Sequence, residues 1–391
     1  MIFYSSVIHL NLEMSRDKFK KIVLLLSSPK IFIFTILWMM ILVVLGTLAQ
    51  RDLGLYDAQQ RYFSCWVTWF GIIPTPGGRT ALSVMTFNLM FFMLKPGFWT
   101  TKKMGIIITH LGVLLLLLGG GITAWFSTEG NMVIKEGESS NVIVDLFAKE
   151  LVIINTDNSS YDEITVISDQ LLKPGNVIDS DFIPFNLEII DYYINCKPVR
   201  RSEEASLDYK GLAQNFILKR IPNEKETEIN RTGMTFEITN SGESSNGIYS
   251  LFLAQQIPQT ISSNGNEFTL ALRRERTYIP FSLKLDDFKK VLHPGTNIAK
   301  SYSSDVILID GDISRPILIQ MNEPLRYRNY TFYQSSFNEG PDIDTTILSV
   351  VKNYGRLFPY ISSLTISLGI LVHMFFKFPI LFRRKKKENG E

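Results

Sequence analysis

The sequence has little cysteine, little histidine and almost no net charge. Cys65 and Cys196 are its only cysteines, and they form no CxxC pair, which argues against a thioredoxin-like redox motif and a structural zinc site. A formal net charge of +2 over 391 residues excludes a strongly basic nucleic-acid surface as a property of the whole chain. A disulfide between the two cysteines stays open if the compartment is oxidising, and the alternative is two unpaired, partly buried thiols.

Hydrophobic residues make up 46% of the chain and charged residues only 20%. Four apolar runs predict transmembrane helices over residues 31–48, 80–94, 104–126 and 357–379. A helix needs about 20 apolar residues to cross the hydrocarbon core. The second run is shorter, but its place between two spans and its flanking Arg79 and Lys95 predict that it also crosses. No cleavable secretory signal is predicted at the N-terminus, and translation starts at either Met1 or Met14.

Lysines and arginines beside these runs predict the orientation. They stand before the first helix, between the second and third, and after the fourth: Arg16, Lys18, Lys20, Lys21 and Lys30; Lys95, Lys102 and Lys103; Lys377, Arg383, Arg384, Lys385, Lys386 and Lys387. By the positive-inside rule both termini are cytoplasmic. The expected segments are a cytoplasmic N-terminus 1–30, three helices within 31–126 with an external loop 50–79, an extracytoplasmic domain 127–355, a helix 357–379 and a basic cytoplasmic tail 380–391.

The large segment 127–355 has the pattern of a β domain. Residues 268–272 alternate apolar and polar side chains just after the turn signal Asn264–Gly265. Further strands are expected at 305–309 and 316–319, which flank the hairpin signal Asp310–Gly311, and at 330–335 and 345–351. A short helix is expected at 285–292. The predicted fold class is an integral membrane protein with four transmembrane helices and a large all-β domain, either a sandwich or an open barrel.

No catalytic constellation is present in this domain. It has no GxSxG elbow, no phosphate loop and no HExxH motif. His293 is its only histidine and lies in the turn sequence His293–Pro294–Gly295, which predicts a surface position. The domain is therefore interpreted as a scaffold or a binding surface.

Two of the four histidines fall inside predicted spans. His110 lies about 10 Å from Lys103 along the third helix, and His373 lies about one turn before Lys377 on the fourth, so both are toward the cytoplasmic side. An imidazole in a spanning helix can ligate haem iron, relay protons or bond a neighbouring helix. For His110 a ligand role and a structural role are equally open at this point, whereas for His373 the pattern favours a structural role.

Several short motifs occur in an order that resembles the ResB/CcsB family of cytochrome c biogenesis proteins. They are GTLAQ at 46–50, GLYDAQQ at 54–60, THLG at 109–112, MNEPLRY at 321–327, YTFYQSSF at 330–337 and the start of the last helix at 358–361. One departure is Asn329, which stands where the family signature more often has glycine. Each motif is weak alone, but the ordered set is specific.

The resemblance implies a subunit of the system II cytochrome c synthetase in the bacterial cytoplasmic membrane, non-catalytic by itself, that works with a ResC/CcsA-type partner. Together they carry haem b from the cytoplasmic side to the periplasmic face and attach it to apocytochrome c. The family's transmembrane haem ligand matches His110, and His373 is carried over either as a residue that supports this ligand or as an alternative ligand. The signature positions carried over are Asn322, Pro324, Leu325, Tyr327, Tyr333 and Gln334.

Two other functions stay open. One is a stand-alone membrane b-type cytochrome with His110 and His373 as axial ligands, and the other is a membrane-anchored binding module with structural histidines. The chain has no tryptophan-rich haem-handling motif, so the leading interpretation requires a partner.

Overall fold

The computed structural model describes residues 18–155, 162–202, 208–341 and 343–388, with side chains as far as 378. The chain divides into two compact units. One comprises the described residues up to Ser127 and from Asn353 onward, and the other spans Thr128–Lys352. Arg16 and both candidate start residues, Met1 and Met14, lie outside the described residues.

The first unit is helical. Its helices are α1 Pro29–Leu53, α2 Leu55–Tyr62, α3 Gly78–Met93, α4 Met104–Phe126 and α5 Phe358–Glu388, with a 3-10 turn at Thr101–Lys103 and a hairpin of β1 Val67–Phe70 and β2 Ile73–Pro76. Helical backbone also covers residues 18–26. The segment 50–79, expected to be an external loop, thus contains the end of α1, all of α2, the hairpin and the first residues of α3.

Three helices among the described residues are long and apolar enough to cross a membrane: Lys18–Leu53, Thr101–Phe126 and Phe358–Phe378. Helix α3 has 16 residues, about 24 Å by helical rise, so its crossing stays a prediction. Helix α5 continues to Glu388, where the sequence analysis ended it at 379. The residues of this basic segment have high helix propensity, which allows the helix to continue through it.

Helices α4 and α5 approach each other through glycine. A Cβ atom at Gly105 would overlap the backbone of His373, and one at Gly112 would overlap Ile366. Gly119 meets Phe358 in the same way, so every seventh residue of α4 lies against α5. Small residues at such spacing let two membrane helices come close, because packing rather than water exclusion holds them together in lipid.

The second unit is built of antiparallel strands. They are β3 Thr128–Lys135, β4 Ser139–Asn155, β5 Glu163–Ser168, β6 Val177–Ile178, β7 Asn186–Tyr193, β8 Cys196–Arg200, β9 Phe216–Arg220, β10 Gly233–Thr239, β11 Gly247–Phe252, β12 Gln259–Ser263, β13 Asn266–Leu292, β14 Ala299–Asp310, β15 Ile313–Gln320, β16 Leu325–Tyr327, β17 Tyr330–Asn338 and β18 Thr345–Lys352. Single turns of helix lie at Leu212–Asn215 and Thr227–Ile229. The expectation of a large β-rich domain is confirmed.

A ten-stranded sheet organises this unit. Its strands run β15-β14-β13-β4-β3-β18-β17-β16, with β12 added to β13 and β5 added to β4. A four-stranded sheet, β11-β10-β7-β6, packs on one part of it and encloses a first core that includes Phe185, Phe236 and Leu270. The other part curls around a second core that includes Phe281, Leu308 and Phe332.

The long strands β4 and β13 serve both cores and change register between them. Arg274 pairs with Lys149 and Arg276 with Val144, so residues 145–148 loop out of β4. The loop is closed by the Asp145 carboxylate, which accepts bonds from the amides of Phe147 and Ala148. Such a bulge re-aims the strand and lets one strand contribute to two separately packed cores.

The expectation of a helix at 285–292 is wrong, because these residues belong to β13. Leu285 and Phe288 are both buried and lie three residues apart, which is a helical spacing. The ladder shifts register between Leu285 and Asp287, so Asp286 is an inserted residue. One inserted residue turns the two-residue rhythm of a strand into a spacing of three.

Two hairpins show how turns set the strand register. Asp310 pairs with Ile313, so the turn residues are Gly311 and Asp312, one position later than expected. Tyr327 pairs with Tyr330, and the two residues between them, Arg328 and Asn329, have φ of 44° and 68°. Two positive φ angles define the turn that best matches strand twist, and asparagine and glycine tolerate them best.

We predict that Asn329→Gly leaves stability unchanged or slightly raised, whereas Asn329→Val lowers it by about 1–2 kcal/mol, since a β-branched side chain is strained at positive φ. Thermal unfolding of the full chain in detergent, followed by β-sheet circular dichroism, measures this. Arg326→Val, at an exposed strand position of β16, is the matched control and should be nearly neutral. Equal midpoints for the glycine and valine variants at 329 would contradict the turn assignment.

Candidate functional site

A crevice lies between α3, α4 and the residues that lead into α1. Its volume is about 420 Å³, within the range of small-molecule sites. Apolar side chains form most of its lining: Pro29, Phe32, Met85, Leu89, Phe92, Val113 and Leu117. The polar lining residues are Ser27, Asn88, Thr109 and His110. A mostly apolar cavity with a few polar groups is suited to a largely apolar ligand that needs one directed contact.

A hydrogen bond to the backbone defines which ring nitrogen of His110 carries a proton. Its Nδ1 lies 2.8 Å from the backbone carbonyl oxygen of Ile106, one turn earlier on α4. A carbonyl oxygen can only accept, so Nδ1 carries a proton and donates. In the neutral ring Nε2 then keeps its lone pair, which is the state of a histidine prepared to ligate a metal.

Aromatic rings fix the orientation of the imidazole. Phe92 on α3 stacks on it with centroids 5.2 Å apart and planes 20° from parallel. Phe98, in the loop before α4, meets it edge-on at 6.0 Å. Phe98 is itself buried with Met93 and Ile107. The ring therefore has little freedom to rotate, which lowers the entropy that a ligand would lose on binding to it.

Asn88 and Lys95 close the crevice where the helical backbone is broken before α1. The Asn88 amide donates to the carbonyls of Leu26 and Ser28, at 2.5 and 3.1 Å. The Lys95 ammonium donates to the carbonyl of Ser27 at 3.0 Å and lies 5.0 Å from the centre of the Phe92 ring. The bonds to Leu26 and Ser27 satisfy carbonyls at the break in the helical backbone, whereas the carbonyl of Ser28 also accepts from the amide of Ile31.

Asn88 and Lys95 were not predicted as site residues from the sequence. Lys95 served there to predict the orientation and the crossing of the second apolar run. An amide in such a run was nevertheless a usable signal, because a polar group in lipid requires a partner.

His373 does not join His110. Its backbone lies against Gly105, on the side of α4 that packs on α5. His110 follows Gly105 by five residues, about 140° around the helix, and its ring meets Phe92 of α3. Two imidazoles that flank one iron must face each other, so this arrangement does not support a stand-alone cytochrome ligated by these two residues.

The family-signature residues lie in the second unit and most of them act in its folding. Leu325 is buried in the second core. The Tyr327 hydroxyl donates to Asp310 at 2.7 Å. Asn322 has a φ of 67° in the turn that leads past Pro324 into β16. Tyr333 differs from these, because its side chain is 42% exposed.

Gln334 belongs to a buried polar network. Its amide oxygen accepts from the Ser304 hydroxyl at 2.7 Å, and its amide nitrogen donates to Thr346 at 2.9 Å. The hydroxyl oxygens of Ser304 and Thr346 are 2.8 Å apart, and since the Ser304 proton is directed to Gln334, the Thr346 hydroxyl donates in this bond. Gln334 lies on β17, Thr346 on β18 and Ser304 on β14, which is not a neighbour of the other two strands in the sheet. The network therefore connects two distant parts of the curled sheet across its interior and stabilises its curvature.

Other candidate chemistry is limited. Among the described residues no group of three or more His, Cys, Asp or Glu side chains could hold a metal ion. His293 is exposed in its turn. Cys65 and Cys196 are both free thiols in this structure. Burial raises the pKa of the Cys196 thiol to about 11, and Arg231 opposes this only partly.

We predict that Cys196 in the folded chain reacts with iodoacetamide about a hundredfold more slowly at pH 8 than an ordinary thiol, because only the thiolate attacks. The Cys65→Ser variant isolates Cys196, and mass spectrometry follows its alkylation. The same variant unfolded in denaturant should be labelled at the ordinary rate. Fast labelling of the folded chain would show that Cys196 is an accessible, reactive thiol.

Comparison with known proteins gives two findings. A family model described as the ResB-like family matches residues 100–192 and 255–357, half of the chain. The chain is also 23% identical over 367 residues to Protein NrfI of Wolinella succinogenes, an alignment that covers 91% of this chain and 36% of NrfI. The chain therefore spans about a third of the length of this relative.

Proposed function

Since the chain belongs to the ResB-like family, we propose that it is a membrane subunit of a haem-attachment system for cytochrome c biogenesis. In this role it binds haem on the cytoplasmic side together with a ResC/CcsA-type partner, and the β domain receives apocytochrome c on the other side of the membrane. The chain by itself is not an enzyme in this proposal, because no catalytic residue is assigned to it.

The proposed topology has four crossings. Lysines favour placing three segments on the same, cytoplasmic side of the membrane. They are Lys18, Lys20 and Lys21 before the first crossing, Lys95, Lys102 and Lys103 before the third, and Lys377 near the end of the described side chains. Helix α3 makes the second crossing despite its 16 residues, since Arg79 and Lys95 at its ends can reach the headgroups. Residues 127–355 then lie outside the cytoplasm.

The observation that carries the haem proposal is the geometry of His110. Its Nδ1 donates to Ile106, and the ring lines an apolar crevice. Because the ring is held in this way, the lone pair of Nε2 is available to ligate haem iron. The crevice has room for a portion of the apolar macrocycle. The Lys95 ammonium, bonded to the carbonyl of the lining residue Ser27, provides a positive charge for a haem propionate.

A partner is proposed because the described part of this chain offers one imidazole at the crevice. His373 lies against the other side of α4, so the second axial position would be filled from outside the chain. The alignment with this chain covers only 36% of NrfI, so most of NrfI is further sequence. We take the haem as cargo that passes through the site, held by His110 until the partner accepts it.

The test is the absorption spectrum of the purified complex after co-expression with a ResC/CcsA-type partner. His110→Ala should lower the haem content at least about tenfold, since the iron loses a ligand that its surroundings hold in position. His373→Ala and His293→Ala are the controls and should retain the haem bands. A complex with His110→Ala that keeps both the spectrum and cytochrome c maturation would contradict the ligand assignment.

A further inference from the structure

Another cavity lies within the β unit, on the face of the four-stranded sheet that is turned away from the first core. In β10 the side chains of Met234 and Phe236 are buried in that core. Thr235 lies between them, so it points to the opposite face, where it lines the cavity. The cavity has a volume of about 250 Å³, slightly less than a drug-sized ligand needs, and it therefore suits a small chemical group.

Polar side chains form a row across the floor of this cavity. Thr235 pairs with Ser250 of β11 on one side and with Asp191 of β7 on the other, and all three line the cavity. The ladder shifts register beside Thr235, so Ile190 is an inserted residue of β7. The hydroxyl oxygens of Thr235 and Ser250 are 3.3 Å apart. One hydroxyl donates to the other, which leaves one proton for a further acceptor.

Arg201 forms a wall of the cavity and is held in place from two directions. Its guanidinium carbon lies 4.0 Å from the centre of the Tyr209 ring. Its Nη2 donates to the carbonyl of Ala213 at 3.0 Å, and its backbone amide donates to the carbonyl of Asn215 at 2.8 Å. Stacking on a ring leaves the N–H groups in the guanidinium plane free to meet an acceptor, so the side chain is positioned to bind an anion.

One N–H group of this guanidinium lacks an acceptor within the chain. The Arg201 Nε is buried and has no hydrogen-bond partner among the described residues, and no ion pair between described side chains includes Arg201. In the described part of the chain, the other buried side-chain atoms without a partner belong to uncharged residues: Thr68, Ser127, Thr227, Asn230 and Ser362. An unmet N–H costs more on a charged group than on a neutral one, so Arg201 favours an acceptor from outside the chain.

The surroundings of Arg201 favour a negative charge. The strands of the β8–β9 hairpin contain four basic residues and no acidic one: Lys197, Arg200, Lys219 and Arg220. Asp191 on the cavity floor is acidic, but it is exposed, so water and salt screen its charge. Burial and the neighbouring Asp191 carboxylate raise the pKa of Tyr193, another lining residue, to about 12. The Tyr193 hydroxyl therefore keeps its proton at neutral pH and can donate.

The charge and the lining of the site distinguish between anions. A phosphate group carries close to two negative charges at neutral pH, which one guanidinium does not balance and which Asp191 opposes. A carboxylate carries one charge, and its two oxygens match the planar guanidinium. Phe216 and Leu218 of β9 also line the cavity, so apolar surface lies beside the polar floor. These features favour a carboxylate that is attached to a short apolar group.

We propose that this cavity binds a single carboxylate group that is attached to a short apolar chain. Arg201 donates from Nε to one carboxylate oxygen, and the Thr235–Ser250 hydroxyl pair donates to the other. The carboxylate belongs either to a free organic acid or to a protein chain, since both present the same chemistry to the site. The site lies in the β unit and does not rest on the proposed haem function.

The experiment is a titration of the full chain in detergent with 3-phenylpropionate and, separately, with the uncharged 3-phenylpropionamide. Saturation-transfer NMR gives the dissociation constant of each probe. We expect the acid to bind at least about tenfold more tightly than the amide, because the amide lacks the charge that pairs with Arg201. Equal affinities for the two probes, or no binding of the acid, would overturn the proposal.

Three variants assign the binding to this cavity. Arg201→Gln should weaken the binding of 3-phenylpropionate at least about tenfold. The matched control Arg200→Gln removes the same charge from an exposed neighbour that does not line the cavity, and it should leave the affinity unchanged. Thr235→Val keeps the shape of the side chain and should weaken binding about threefold to tenfold, which tests the site even if the Arg201 variant fails to fold. An equal loss in the two arginine variants, or full affinity in Thr235→Val, would contradict the assignment.

The tripeptide alanyl-leucyl-phenylalanine, with a free C-terminal carboxylate, identifies the source of the ligand. Tighter binding of the peptide than of 3-phenylpropionate supports a carboxylate on a protein chain, and the reverse order supports a free organic acid. Glu203 and Glu204 follow Arg201 in the sequence and lie outside the described residues. If the acid binds only after both are changed to glutamine, the chain's own carboxylates occupy the site and the proposal is wrong.

Discussion

The close contact between α4 and α5 is the constraint on which the candidate site depends. One side of α4 packs closely on α5 through Gly105, Gly112 and Gly119. That side is therefore not accessible to a ligand. The other side carries His110 toward Phe92 and the crevice. A larger residue in this glycine series would separate the helices and rotate the imidazole away from the ring that it stacks on. The helix contact and the haem proposal are thus two consequences of one arrangement of small residues.

The His110 ring is held by a backbone carbonyl of its own helix and by aromatic side chains, and not by a charged residue. The bond from Nδ1 to Ile106 uses a carbonyl that also belongs to the helix ladder, so it costs no extra buried polar group. Phe92 and Phe98 restrict the ring without competing for Nε2. An apolar surrounding of this kind suits a cargo site, where the ligand must be bound with a defined orientation and later released.

Much of the fold could be predicted from the sequence, and the failures have specific causes. Long apolar runs identify α1, α4 and α5, and alternation identifies β14, β17 and β18. The bulge at Asp286 gives a strand the three-residue spacing that is typical of a helix, so a helix was predicted there. The hairpin at 67–76 was not predicted, because two prolines argue against a strand unless it lies at a sheet edge. Motif position was enough to select His110, but the side of α4 that it faces depends on glycine contacts with a helix about 250 residues away in sequence, which no local pattern reports.

The central claim is that Nε2 of His110 is a ligand of haem iron, and imidazole rescue tests it most directly. His110→Gly in the full complex removes the ligand and leaves a space the size of the ring beside Phe92. The account predicts that the haem absorption bands are lost in this variant and return when imidazole is added, with no such response in His373→Gly. Bands that persist in His110→Gly without imidazole, or that imidazole fails to restore while the complex remains assembled, would contradict it.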